Sequence, residues 1–324
     1  MLTSSFNIWK PEEYQRPHSF GFIPNVHAFL HEDDTDRPAI LVVPGGGYGY
    51  CSEREGEPVA RCFHEAGYQT FVLTYTTNLL FLDPLMDQPL KDIARAVRIL
   101  RSKAEEFHLI KDRLFVCGFS AGGHLTASLG NYWNTVSDPE YEGISCRPDA
   151  MLLCYPVITS GEYTHQHSME ALLGNNPSPE LLQHWSMECH VNSDTPPSFV
   201  FQTAGDESVP VENSFLMAKA LKQAGIPFSY HVFTTGGHGL SISTEELIER
   251  KYCSLFTLDP VFRLLEACQD GRVPEADPDL VQEMIRKFEP RRNPDYKDSS
   301  KKANHEVSVW PQLADSWLRT VMEF

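Results

Sequence analysis

Ser120 stands in Gly118-Phe119-Ser120-Ala121-Gly122, directly after the apolar run Leu114-Phe115-Val116-Cys117 and before a stretch of helical composition. A Gly-x-Ser-x-Gly pattern between a strand and a helix predicts a sharp turn. Such a turn holds the serine hydroxyl out at the sheet edge, over helix N–H groups that favour developing negative charge. Glycines flank it for steric reasons, since a Cβ on either side would meet the neighbouring strand or helix. Alone, the pentapeptide also fits a Gly-rich turn in any α/β protein. Its chemistry depends on three companions: donors for an oxyanion, a base, and a group that orients the base.

All three types are present, in a consistent order. Gly45-Gly46-Gly47 follows the apolar run Ala39–Val43. Its backbone N–H groups, with that of Ala121, are candidates for an oxyanion hole. A flexible loop or phosphate cradle is the competing reading, but the spacing does not match the Gly-x-Gly-x-x-Gly of dinucleotide sites. Asp206, in Thr203-Ala204-Gly205-Asp206-Glu207, falls just past the strand-like run Ser198–Thr203. A carboxylate at a strand's C-terminal end is well placed to hold an imidazole, although Asp206 also suits a turn or cap, with Glu207 as a substitute acid. His238, in Gly236-Gly237-His238-Gly239, follows the run Phe228–Phe233. The Ser, Asp, His order is that of serine hydrolases built on α/β sheets. His124, one helical turn past Ser120, reads as a packing or supporting residue. His165 and His167 lack a third ligand at metal spacing and read as loop histidines.

The elements that must position these residues alternate. Strands are expected at Ala39–Val43, Gln69–Tyr75, near Leu114, at Ala150–Tyr155, Ser198–Thr203 and Phe228–Phe233, with earlier antiparallel strands within Phe20–Leu30. Helices are expected at Pro58–Ala66, Asp87–Phe107, Glu212–Ala224 and Pro311–Met322. The pattern predicts an α/β fold with a mostly parallel central sheet and helices on both faces, read as one domain over 1–324. Two stretches break the alternation. Residues 160–197 form a cap-like excursion with short helical patches at Met169–Leu173 and Pro179–Trp185. Residues 245–307 form an insertion before the last helix. Its second half is basic and turn-rich (Arg286, Lys287, Arg291, Arg292, Lys297, Lys301, Lys302) and reads as a solvated or subunit-contact face.

The 324 residues carry 27 basic and 44 acidic side chains, a net charge of −17. That balance argues against nucleic acid or an anionic membrane as partner. No apolar run approaches the ~20 residues that span a bilayer. The opening MLTSSFNIWKPEEY has no basic segment followed by an apolar one, so no secretory signal is expected. Eight cysteines without paired or metal spacing point to a reducing compartment, and the expected location is cytoplasmic. No metal or organic cofactor is expected.

With these residues in place, the chain resembles the α/β-hydrolase superfamily, and within it the carbohydrate esterases grouped as acetyl xylan esterases and feruloyl esterase-like hydrolases. The resemblance lies in PGGGY (44–48), GFSAGGHL (118–125), PPSFVFQTAGDESVPVENS (196–214) and GGHG (236–239). Pro44 stands where related lipases and esterases carry histidine. The resemblance implies Ser120 as nucleophile, His238 as base, Asp206 as its orienter, and Gly46, Gly47 and Ala121 as oxyanion donors. It implies a serine esterase that removes short acyl groups, acetyl above all, from small acylated carbohydrates or other short-chain esters. The 245–307 insertion is longer than the resemblance leads one to expect, and could lie over the site entrance or build a homodimer contact. A peptidase on the same fold, or a catalytically silent binding protein, are the alternatives.

Overall fold

The computed structural model describes residues 1–293, 295–297 and 302–323; Lys301 of the basic run lies outside them. Two antiparallel strands open the chain, β1 (Leu2–Asn7) and β2 (Asn25–Leu30). The sequence pattern gives no sign of β1. It is an edge strand, solvent-exposed along nearly its whole length, so LTSSFN has no buried face to reveal. Then follow β3 (Arg37–Val43), α1 (Glu57–Glu65), β4 (Gln69–Thr74), α2 (Gln88–Ser102), β5 (Leu109–Phe119), α3 (Ala121–Tyr132) and β6 (Ala150–Cys154). The chain continues through α4 (Gln166–Leu173), α5 (Pro179–His184), β7 (Ser198–Thr203), α6 (Glu212–Ala224) and β8 (Phe228–Phe233). It closes with α7 (Glu245–Ile248), α8 (Asp259–Gln269), α9 (Pro278–Phe288) and α10 (Trp310–Val321).

The eight strands form one sheet in the order β1-β2-β4-β3-β5-β6-β7-β8. Pairing is parallel from β4 through β8, and antiparallel where β2 meets β1 and β4. This is the α/β-hydrolase fold. The central strands are apolar runs because both faces are covered. Successive residues of β3 serve opposite cores: Leu41 and Val43 join Ile93, Val97, Leu125 and Met217 from α2, α3 and α6. Ile40 and Val42 join Val59, Phe63, Trp310 and Leu318 from α1 and α10. That period of two is the pleat of the strand.

Two segments depart from the sequence expectation. Helix α2 stops at Ser102 rather than Phe107, yet Ala104 and Phe107 remain buried in the core, carried there by turns. The second half of 245–307 is not all turns. Asp277 caps α9 by accepting the N–H of Asp279, and Val281, Met284 and Phe288 recur at three- and four-residue steps on its buried side. That stripe packs with α8 and with Leu79 and Leu80 into a small core of its own. Among the described residues no helix is long and apolar enough to cross a membrane.

Candidate active site

Ser120 is the hinge between β5 and α3. Its backbone sits at φ 52°, ψ −118°, a conformation that costs a non-glycine residue about 1–3 kcal/mol and persists only where neighbours enforce it. Here they do: its N–H donates to the carbonyl of Cys154 (3.0 Å), and its carbonyl accepts from Val157 (3.0 Å). A Cβ at Gly118 would lie 2.2 Å from the Gly122 carbonyl oxygen, and one at Gly122 2.2 Å from that of Val43. The steric reason for the two glycines is therefore visible at both positions.

The side chains expected to converge on Ser120 lie beside it. The ring of His238 is 2.7 Å from Ser120 Oγ through Nε2 and 2.7 Å from Asp206 Oδ2 through Nδ1. A carboxylate only accepts, so Nδ1–H donates to Asp206 and Nε2 accepts from the serine hydroxyl. The Asp206 side chain is fully buried, and its other oxygen accepts the N–H groups of Ser208 and Val209 at 3.0 Å each. The carboxylate is thus anchored through Oδ1 independently of the ring. Glu207 points to solvent and takes no part. The loop bearing His238 is pinned to the end of β7, where Thr203 Oγ1 donates to the Gly236 carbonyl at 2.8 Å.

Of the three loop glycines, Gly45 is already committed. Its N–H donates to Glu55 Oε2 at 2.8 Å. Among the described residues the N–H groups of Gly46, Gly47 and Ala121 meet no acceptor. Gly46 and Gly47 lie at φ +126° and +65°, and a Cβ at Gly46 would fall 2.2 Å from the Tyr50 carbonyl oxygen. Glu55 was not singled out by its sequence, yet it joins three parts of the site. Its Oε1 accepts from Tyr155 O–H (2.7 Å), and the Tyr155 oxygen accepts the N–H of Ser241, three residues past His238. The Tyr155 ring stands edge-on to His238, 5.1 Å away. Burial pushes the Glu55 carboxyl above its ordinary value, against the pull of those hydrogen bonds. It stands in three consecutive charged residues, Glu53-Arg54-Glu55, all of them buried.

His124 is the supporting residue its position suggested. Its Nε2–H donates to the Trp185 carbonyl (2.9 Å), so Nδ1 accepts from Tyr48 O–H (2.8 Å), which steadies the glycine loop. Full burial pushes its pKa down to about 4. His165 and His167, read as loop histidines, instead line the cavity over Ser120, which has a volume of about 380 Å³. The His165 ring lies 6.5 Å from that of His238, and burial pushes its pKa down to about 4 as well. Among the described residues no group of three or more His, Cys, Asp or Glu could hold a metal ion. Two members of the basic run are not part of a solvated or subunit-contact face. Lys287 stands at the cavity rim, and Arg291 lies in its wall, paired with Glu53 at 2.9 Å, because α9 and the 3-10 turn Glu289–Arg292 that follows it aim them inward. A hydroxyl bonded to an imidazole that is itself bonded to a buried carboxylate, beside unpaired amides, is an arrangement suited to acyl transfer.

The family model of BD-FAE matches residues 29–221, a span that holds Gly46, Gly47, Ser120, Ala121 and Asp206 and ends before His238. An endo-1,4-β-xylanase B of Butyrivibrio fibrisolvens is 48% identical over 74% of this chain and 38% of its own length. An acetylxylan esterase of Xylanibacter ruminicola is 32% identical over 67% of this chain and 43% of its own. The chain thus spans about two fifths of these curated relatives. Among solved structures, an acetyl ester-xyloside bifunctional hydrolase from Caldicellulosiruptor lactoaceticus superposes with a TM-score of 0.70 at 36% identity, covering 80% of this chain and 97% of that one.

Proposed function

The chain belongs to the BD-FAE family of α/β-hydrolases, and from that premise we propose that it is a serine carboxylesterase that removes short acyl groups, chiefly acetyl, from sugars or oligosaccharides. The observation that carries the reading is the unbroken chain of hydrogen bonds from Asp206 through His238 to Ser120. Relatives named for acetylxylan and acetyl ester hydrolysis support the substrate class.

In this mechanism His238 Nε2 takes the hydroxyl proton as Ser120 Oγ attacks the ester carbonyl. Asp206 holds the ring in the tautomer that can do so and stabilises the imidazolium that forms. Negative charge on the carbonyl oxygen is received by the N–H of Ala121 with those of Gly46 and Gly47. Gly45 is left out, because its N–H is occupied by Glu55. As the tetrahedral intermediate collapses, the imidazolium returns its proton to the departing sugar hydroxyl and the acyl group stays on Ser120. Water, deprotonated by His238, then releases the acid and restores the serine.

The test is acetate release from acetylated xylo-oligosaccharides by the wild type and by Ser120→Ala. The proposal expects turnover by the first and a loss of about 10³-fold or more in the second. Equal turnover by both would refute it.

A further inference from the structure

The cavity over Ser120 carries more positive charge than ester hydrolysis requires. Arg54, Lys287 and Arg291 all line it. Arg54 is only 8% exposed, and no carboxylate lies within 4.0 Å of it among the described residues. Its Nη1 makes one long contact to the Leu247 carbonyl (3.4 Å), and its Nε is buried without an acceptor. A buried guanidinium left in that condition is costly unless something charged comes to it. Lys287, at the exposed rim, holds its ammonium 5.0 Å from the Tyr50 ring centroid and 5.3 Å from that of Phe288. Glu283 and Glu53 act on it only through space. Arg291 shares the single carboxylate of Glu53 with Arg250, so two guanidiniums face one acid. Arg291 also borders an adjoining cavity with Arg250, Arg292 and Tyr252.

Among the described residues that line the cavity the one carboxylate is Glu55, which hydrogen-bonds Gly45 and Tyr155 and acts on Arg54 through space, so it offsets one of the three cations. The whole chain carries a net charge of −17, so a cationic lining is not the overflow of a basic surface. Guanidinium and ammonium groups around one opening suit a planar, bidentate anion.

We infer that the ester taken by this site carries a carboxylate on its sugar part: an acetylated uronic acid, or an oligosaccharide with a uronic acid beside the acetylated ring. The inference rests on the esterase reading above. The cations hold the carboxylate at the mouth while the ester carbonyl lies over Ser120. A sugar phosphate presents similar charge, and the test separates the two.

Acetate release is compared for acetylated methyl glucuronoside, acetylated methyl xyloside and an acetylated sugar phosphate, at low and high salt. Each substrate yields the same acetate, so any attraction for released product cancels. The wild type should favour the glucuronoside over the xyloside in kcat/KM by about tenfold, a margin that shrinks as salt screens the pairing. Lys287→Met should cut that ratio about tenfold, through KM rather than kcat. Free glucuronate should bind Ser120→Ala about tenfold more tightly than xylose in calorimetry. Equal treatment of glucuronoside and xyloside by a wild type that cleaves p-nitrophenyl acetate overturns the inference and leaves the esterase reading standing. Failure to cleave any ester overturns the esterase reading, and the calorimetry then decides the anion site alone. Preference for the sugar phosphate overturns the carboxylate assignment, as does a Lys287→Met variant that loses equally on both sugars.

Discussion

Glu55 offers the sharpest mutational test of how the site is held together. Its two oxygens accept from Gly45 N–H at 2.8 Å and Tyr155 O–H at 2.7 Å, and it lies out of water. Glu55→Ala orphans both donors and removes buried methylenes. At about 1–3 kcal/mol per orphaned donor plus the cavity, less the relief of removing a buried carboxylate, the expected loss of stability is about 3–5 kcal/mol. Glu55→Gln is milder. Its amide oxygen still accepts from Gly45, but its NH2 can only donate, so Tyr155 O–H alone loses its acceptor. The glutamine also relieves the burial of a carboxylate, which places its cost near 1 kcal/mol. The catalytic effect follows from geometry. Gly45 precedes the amides assigned to the oxyanion, and Tyr155 holds Ser241 in the His238 loop. A displacement near 1 Å at such groups costs about 100-fold. Steady-state hydrolysis of p-nitrophenyl acetate should therefore show kcat down about 100-fold in Glu55→Ala and about tenfold in Glu55→Gln, with KM little changed. Urea unfolding run alongside gives the stability ranking. A Glu55→Ala enzyme with wild-type kcat, or one whose loss lies wholly in KM, would refute the reasoning.

Other perturbations have equally definite outcomes. Asp206→Asn should lower kcat by about 10³–10⁴-fold with KM little changed, because the amide no longer fixes the His238 tautomer; a loss below tenfold in steady-state kinetics would contradict the assigned role. His124, buried neutral with its pKa pushed from 6.5 to about 4, makes stability pH-dependent. The group's pKa is depressed in the folded state, so its contribution is intact above pH 6.5 and is lost as pH falls toward 4, by about 3 kcal/mol in total. Urea unfolding across that window should show a shallower slope in His124→Asn than in the wild type, and identical slopes would refute this. A cavity of about 380 Å³ lined largely by polar groups should favour short acyl chains. Across a p-nitrophenyl ester series, kcat/KM should fall from acetate to decanoate, and a rising series would exclude the acetyl assignment.

What the sequence revealed and what it hid follow from the range over which each signal acts. Ser120, Asp206 and His238 are each marked locally, by a glycine-flanked turn or by the end of an apolar strand, so their placement at one rim of the sheet could be anticipated. The boundaries of β7, α6 and β8 were legible for the same reason, and Gly225, at φ +72°, stops α6 as its position suggested. Glu55 and Tyr155 were not legible. They are 100 residues apart, and nothing near either one announces the other. Lys287 and Arg291 were misread because a charged stretch looks solvated until the apolar stripe Val281, Met284 and Phe288 is seen to orient α9, which carries Lys287 and leads into the turn that carries Arg291. His165 and His167 were misjudged for a related reason. Two histidines without a third ligand carry no metal signal, and only the folded chain sets both in the cavity wall, with His165 beside His238.

The central claim is that Ser120 becomes covalently acylated. Rapid acid quench of the protein during turnover of p-nitrophenyl acetate, followed by peptide mass mapping, tests it directly. The account predicts one acetyl group on the peptide containing Ser120, absent when His238 is replaced by alanine. Turnover at the full rate with Ser120 unmodified at every quench time, or an acetyl group located on a different residue, would contradict it.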